Sequence, residues 1–144
     1  MHLLSPYILA AIFSWLVAQG LKYVFATVKG KKLGSVRQLY LSGGMPSAHS
    51  ASVVALLVVI GLKDGIDSAV FGVALLFAAV VMYDAVMVRR SSGEQGAALR
   101  GLFHQLKLDP VAPFRTAKGH LPREVLGGAI VGVLVGLVVY YATV

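Results

Sequence analysis

The sequence contains no cysteine, so a disulfide framework and thiol chemistry are excluded and the redox compartment is left open. Charge is scarce too: Asp, Glu, Lys and Arg make up 13% of the 144 residues, against 58% hydrophobic residues. That balance argues against a water-soluble globule. Internal repeats and low-complexity tracts are also missing. The net charge of +7 raises the question of nucleic acid, but aromatic residues do not alternate with the basic ones as a base-stacking surface requires. The excess charge is expected to set membrane topology and to attract anionic headgroups.

What the chain has in quantity is long apolar runs. Four blocks, at about 3–28, 46–62, 66–88 and 125–143, approach the roughly 20 residues that cross a hydrocarbon layer about 30 Å thick. They predict an all-α integral membrane protein, a bundle of four transmembrane helices forming one membrane-embedded domain over 1–144. The second block is the shortest and is expected to begin inside a polar recess. The first has no Lys or Arg ahead of it and a long apolar core, so it is expected to be a span and not a cleaved signal. Lys29, Lys31, Lys32 and Arg37 follow the first span, and Arg89, Arg90, Arg100, Lys107, Arg115, Lys118 and Arg123 lie between the third and fourth. Basic loops stay cytoplasmic, so both termini are expected outside.

That topology sends the chemically interesting residues to one side of the membrane. Gln19 and Lys22 share a helical face near the cytoplasmic end of the first span. Lys22 either snorkels to the interface or belongs to a site, and Asp84 either pairs with Lys22 or an arginine or belongs to the same site. In GGMPSAHSAS, Pro46 is expected in the first turn of the second helix, leaving free amides that, with the Ser47 hydroxyl, suit an anion. His49 stands one turn in, able to give or take a proton. In GHLPREVLGG, Glu124 lies four residues after His120, a spacing that either caps the helix or holds one imidazole nitrogen and makes the other more basic. Two histidines among Lys22, Arg89, Arg90 and two helix starts point to phosphoryl transfer. In that scheme His120 attacks phosphorus, Glu124 orients it, His49 protonates the leaving group, and Lys22, Ser47, Arg89 and Arg90 hold the phosphate. A metal site built from His49, His120, Glu124 and Asp84 is the competing use, opposed by the neighbouring cations.

These motifs resemble those of the type-2 phosphatidic acid phosphatases: MPSAHS is similar to their Pro-Ser-x-His, and His120-x-x-x-Glu124 to their His-x-x-x-Asp. The closer resemblance is to the divergent branch described as related to acid phosphatases and vanadium-dependent haloperoxidases. It covers Gln19 to Lys22, Gly43 to Ala51, Asp84 with Val88 to Gln95, and Gly119 to Val125, in order along the whole chain. The resemblance implies a phosphatase that needs no metal or other cofactor, forms a phosphohistidine on His120, uses His49 as general acid, and sits in a bacterial plasma membrane. Differences from the ordinary members are Lys29 and Gly30 in place of their Arg-Pro, Phe114 in place of an arginine with Arg115 one residue off, and Glu124 in place of Asp. Gln19, Asp84 and Gln95 are supporting candidates.

Between the third and fourth spans, Ser91 with Glu94 and Ser92 with Gln95 have capping-box spacing and predict the start of a short interfacial helix. Leu99, Leu102, Phe103 and Leu106 supply its apolar face, and DPVAPF at 109–114 is expected to end it. Gly128, Gly132 and Gly136 form a small-residue stripe, expected either within the bundle or at a homodimer seam. The implied partners are membrane lipids, including a phosphorylated lipid substrate. The alternative function is a non-catalytic membrane protein that binds anionic headgroups or carries a small anion.

Overall fold

The computed structural model describes residues 5–28, 44–107 and 119–143, and these are helical with short connections. The helices are α1 (Pro6–Val28), α2 (Ala48–Lys63), α3 (Ala69–Tyr83), a π-helical turn (Asp84–Val88), α4 (Arg89–Gln105) and α5 (Pro122–Thr143). No strand occurs among the described residues. Most of the two basic loops, Gly43 and the DPVAPF segment lie outside them.

Among the described residues three helices are long and apolar enough to cross a membrane: Pro6–Val28, the continuous Ala69–Gln105, and Pro122–Thr143. With 16 residues, α2 is shorter, but it lies at the centre and packs against α1, α3 and α5. Its inward positions are small: Ala48, Ser50, Ala51 and Ala55 are buried together with Val54, Val59 and Ile60. Ala10 and Ala18 of α1 are likewise fully buried, while Val73, Leu76 and Val138 are about two-thirds exposed at 70%, 66% and 68%. Small residues inside and large apolar ones outside is the pattern of helices that face hydrocarbon, where lipid gives large side chains no reason to turn inward.

The glycine stripe explains how α5 reaches α2. A Cβ on Gly132 would stand 2.5 Å from the Ala51 carbonyl oxygen and 2.9 Å from Val54 Cβ. On Gly136 it would stand 2.9 Å from the Ala55 oxygen, and on Gly128 it would overlap the Ser47 oxygen. The stripe is therefore used inside the molecule, against the backbone of α2. α1 is tied to α2 by the Ser52 hydroxyl, which donates to the Ala11 carbonyl at 3.1 Å. At the opposite end, Tyr7 donates to Asp64 at 2.8 Å, and Gly65, at φ +90°, turns the chain into α3, whose first turn is capped by Ser68.

Two sequence expectations are corrected. Pro46 is not in the first turn of α2: the helix begins at Ala48, with Ser47 as its N-cap in extended conformation. Nor do Ser91 and Ser92 open a helix. The chain runs without a break from Ala69 to Gln105, 37 residues or roughly 55 Å, far beyond the hydrocarbon thickness. The pairs that looked like caps are side-chain contacts within a continuing helix: Arg90 bonds Glu94 at 3.0 Å and Gln95 donates to Ser91 at 3.2 Å. Leu99 and Leu102 of α4 and its C-cap residue Leu106 are exposed.

Gly132→Val is expected to lower unfolding stability by about 1–3 kcal/mol, as overpacking of a close contact does. Thermal or denaturant unfolding in mild detergent measures it, and unchanged stability would mean that α5 does not lie on the α2 backbone.

Candidate active site

The site forms where α2 and α5 begin side by side. The Ser47 amide donates to the Glu124 carbonyl at 2.9 Å, joining the first turns of the two helices. The Ser47 hydroxyl accepts from the Ser50 amide at 3.4 Å and lies 3.0 Å from the Ser50 hydroxyl; both serines are fully buried. Ser47 thus caps α2, and the amides of Ala48 and His49 are the ones that helix geometry leaves pointing outward. Gly44, at φ +96°, would bring a Cβ within 3.5 Å of Lys22 Cε, so the lysine stem runs along this turn.

Glu124 does both things that its spacing allowed. One oxygen, Oε2, accepts from the Leu121 amide at 3.1 Å, closing the N-terminus of α5, and also lies 3.1 Å from His120 Nδ1. His120 is 6% exposed, and its backbone amide donates to the Ala85 carbonyl at 2.9 Å. The carboxylate therefore selects the tautomer with hydrogen on Nδ1 and leaves Nε2 with its lone pair. His49, by contrast, is exposed and in reach of solvent protons.

The π turn supplies the third side of the site. A π turn bonds residues five apart in place of four, and the Arg89 amide bonds the Asp84 carbonyl in this way. The same geometry brings their side chains together, with Arg89 Nε 2.6 Å from Asp84 Oδ2. The pair is half exposed and adds little to stability, so its effect is to fix where the guanidinium stands. Gly119 passes so close to Arg90 that a Cβ would overlap the Arg90 amide and Cα. Glycine is required there for the chain to reach Ala85 and deliver His120.

The charges of Arg89, Lys22 and Asp84 act on His49, and that of Glu124 acts on Lys22. The structure thus brings together Lys22, His49, Asp84, Arg89, His120 and Glu124 from separate parts of the chain. Arg90 and Gln95 stand on α4, paired with Glu94 and Ser91. Gln19 lies one turn before Lys22, and its Oε1 is shielded with no hydrogen-bond partner among the described residues. Among the described residues no three His, Asp or Glu side chains are grouped as a metal ion requires. Sequence reasoning missed Ala85 and the structural need for Gly119; of these only Gly119 carried a signal, as a glycine directly before the buried histidine.

Long apolar helices packed through small residues, with ionisable groups gathered at one end, define an integral membrane protein with a buried-histidine site. A family model described as the Divergent PAP2 family matches residues 3–135, and the chain belongs to that family. The chain is also similar to the uncharacterized membrane protein YuiD of Bacillus subtilis (strain 168), at 33% identity over 98% of this chain and 98% of the relative. No solved structure matches it.

Gly119→Ala is expected to lift the approach loop off Arg90 and break the His120–Ala85 hydrogen bond. Amide exchange at His120 should then quicken by about tenfold, the equivalent of one hydrogen bond, with the helices intact. Unchanged protection at His120 would show that the loop does not depend on this contact.

Proposed function

We propose that the protein hydrolyses a phosphomonoester or pyrophosphate on a lipid, without a metal, through a phosphohistidine at His120. The observation that carries the reading is the 3.1 Å contact between Glu124 and His120 Nδ1 inside a cluster of cations. Membership of the Divergent PAP2 family supports it at the level of a phosphatase-related ancestry.

In the first step Nε2 of His120 attacks phosphorus and the bond to the leaving oxygen breaks, while His49 supplies that oxygen's proton. Glu124 stabilises the positive charge that the ring acquires. Lys22, Arg89 and the outward amides of α2 hold the phosphoryl oxygens, where fixed positive charge and the helix dipole lower the barrier. In the second step His49, now neutral, takes a proton from water, which attacks phosphorus and releases phosphate from His120. Arg90 and Ser47 assist from the rim and from beneath, the serine by holding the first turn in shape. The lipid part of the substrate is favoured because the site opens at the ends of helices whose outer faces are apolar. α2 completes the crossing as a fourth span, held in the bundle where its 16 residues need not meet lipid on every side. Both basic loops face the cytoplasm, and α4 lies on that side.

Phosphate release by purified protein in lipid micelles with chelator, from phosphatidic acid, phosphatidylglycerophosphate and a prenyl diphosphate, tests the chemistry. Wild type should turn over at least one, His120→Ala none, and Glu124→Gln should lose roughly 10²–10⁴-fold in kcat. Equal release by wild type and His120→Ala contradicts the mechanism; no release, with equal lipid binding, favours a headgroup-binding protein. For topology, a Gly34→Cys variant should resist an impermeant thiol reagent in intact cells, and labelling from outside would reverse the orientation.

A further inference from the structure

The packing around α2 leaves one side uncovered. Ser47, Ala51, Ala55 and Val58 meet the glycine face of α5, the Ser52 hydroxyl meets the Ala11 carbonyl of α1, and Gly61 meets Phe71 of α3. His49, Val53, Leu56 and Ile60 recur at helical spacing on the arc between the α1 and α3 contacts, roughly opposite α5. α1 and α3 share no extended contact among the described residues, so α2 floors a cleft between them. At the outer end the cleft is shut, where Tyr7 donates to Asp64 at 2.8 Å and Ile60 is buried. Toward the site its floor comes into the open: Val53 and Leu56 are partly buried and His49 is exposed. The matching gap between α5 and the π turn is bridged by the His120 amide on the Ala85 carbonyl, which leaves the α1 side as the open one.

The head of this cleft carries the charges of the site, since those of Lys22 on α1 and Arg89 on the π turn both act on His49. In the proposed mechanism His49 gives its proton to the leaving oxygen, so the group on that oxygen must lie on the His49 side. There the next α2 positions are Val53 and Leu56, about 6 and 10 Å along the axis, and the Ser52 hydroxyl beside them is engaged with Ala11. We propose that the cleft between α1 and α3 binds the apolar chain of the substrate. The phosphoryl group then sits between Lys22 and Arg89, the leaving oxygen at His49, and the chain over Val53 and Leu56. The proposal rests on reading this end of the bundle as a phosphate site, and it adds which part of the molecule is selected. An ester of a sugar or another hydrated alcohol would lose its water against two apolar side chains. An alkyl or prenyl chain has no such cost and reaches the cleft sideways from the bilayer.

The test uses the full chain in detergent micelles. Dodecyl phosphate carrying a diazirine near mid-chain, photolysed with wild type, should label α2 at Val53 to Leu56. Excess dodecyl phosphate should suppress the labelling and dodecanol should not. In phosphate release, kcat/KM should favour dodecyl phosphate over glycerol phosphate by about 100-fold. Leu56→Trp should raise KM for dodecyl phosphate about tenfold or more, and Leu134→Trp, on the exposed face of α5, should leave it unchanged. The labelling needs no substitution and decides the matter if Leu56→Trp does not fold. Release with labelling spread over the outer faces of α3 and α5, or equal KM in the two tryptophan variants, overturns the cleft and leaves the phosphate site standing. Confined and competed labelling without release supports the cleft and overturns the hydrolysis. Labelling that ignores the competitor, with no release, overturns both.

Discussion

The approach of the α5 glycine face to the backbone of α2 is the constraint from which the rest follows. With Gly128, Gly132 and Gly136 set against the carbonyls of Ser47, Ala51 and Ala55, the two helices lie closer than any side chain would permit. That closeness aligns their first turns, so that the Ser47 amide reaches the Glu124 carbonyl and two helix N-termini open at one place. Both bring positive ends of their dipoles, and each carries a histidine within a turn of its start. A membrane protein has no hydrophobic force to draw helices together, and here backbone contact and packing supply the attraction.

The second device is the π turn. A helix that simply continued at four residues per bond would place Asp84 and Arg89 on different faces. The shift to five stacks them, holds the arginine near His49, and comes at the place where the Ala85 carbonyl receives the His120 amide. Gly119 and His120, just ahead of α5, are thereby docked on the middle of a long helix, with Gly119 lying against Arg90. His120 is shielded from solvent while His49 is exposed, a difference that suits the proposed roles of nucleophile for the first and proton carrier for the second.

Much of this was legible in the sequence. The i,i+4 spacing of His120 and Glu124 predicted their contact, the i,i+3 spacing placed Gln19 with Lys22, and the regular glycines marked a close helix pair. The π turn was not legible, because one extra residue per turn barely disturbs an all-apolar stretch such as VVMYDAVMV. Asp84 was expected to pair with Lys22 or an arginine or to join the site, but Asp84 and Arg89 are five apart, a spacing that brings nothing together in an α-helix, and so nothing singled out Arg89 as the partner. Ser91 and Ser92 misled for a different reason: a capping box and an i,i+4 side-chain pair use the same residue types. Ser47 likewise carries one sequence signal for two roles, helix cap and phosphate ligand, and its complete burial assigns it to the first.

The account stands on Glu124 holding hydrogen on Nδ1 of His120 and leaving Nε2 free. Nitrogen-15 NMR of histidine-labelled protein in micelles reads that tautomer directly, with His120→Ala to assign the signal. The account predicts the Nδ1–H form for His120, lost or mixed in Glu124→Gln. A His120 that holds its hydrogen on Nε2, or that ignores the Glu124 substitution, would contradict it.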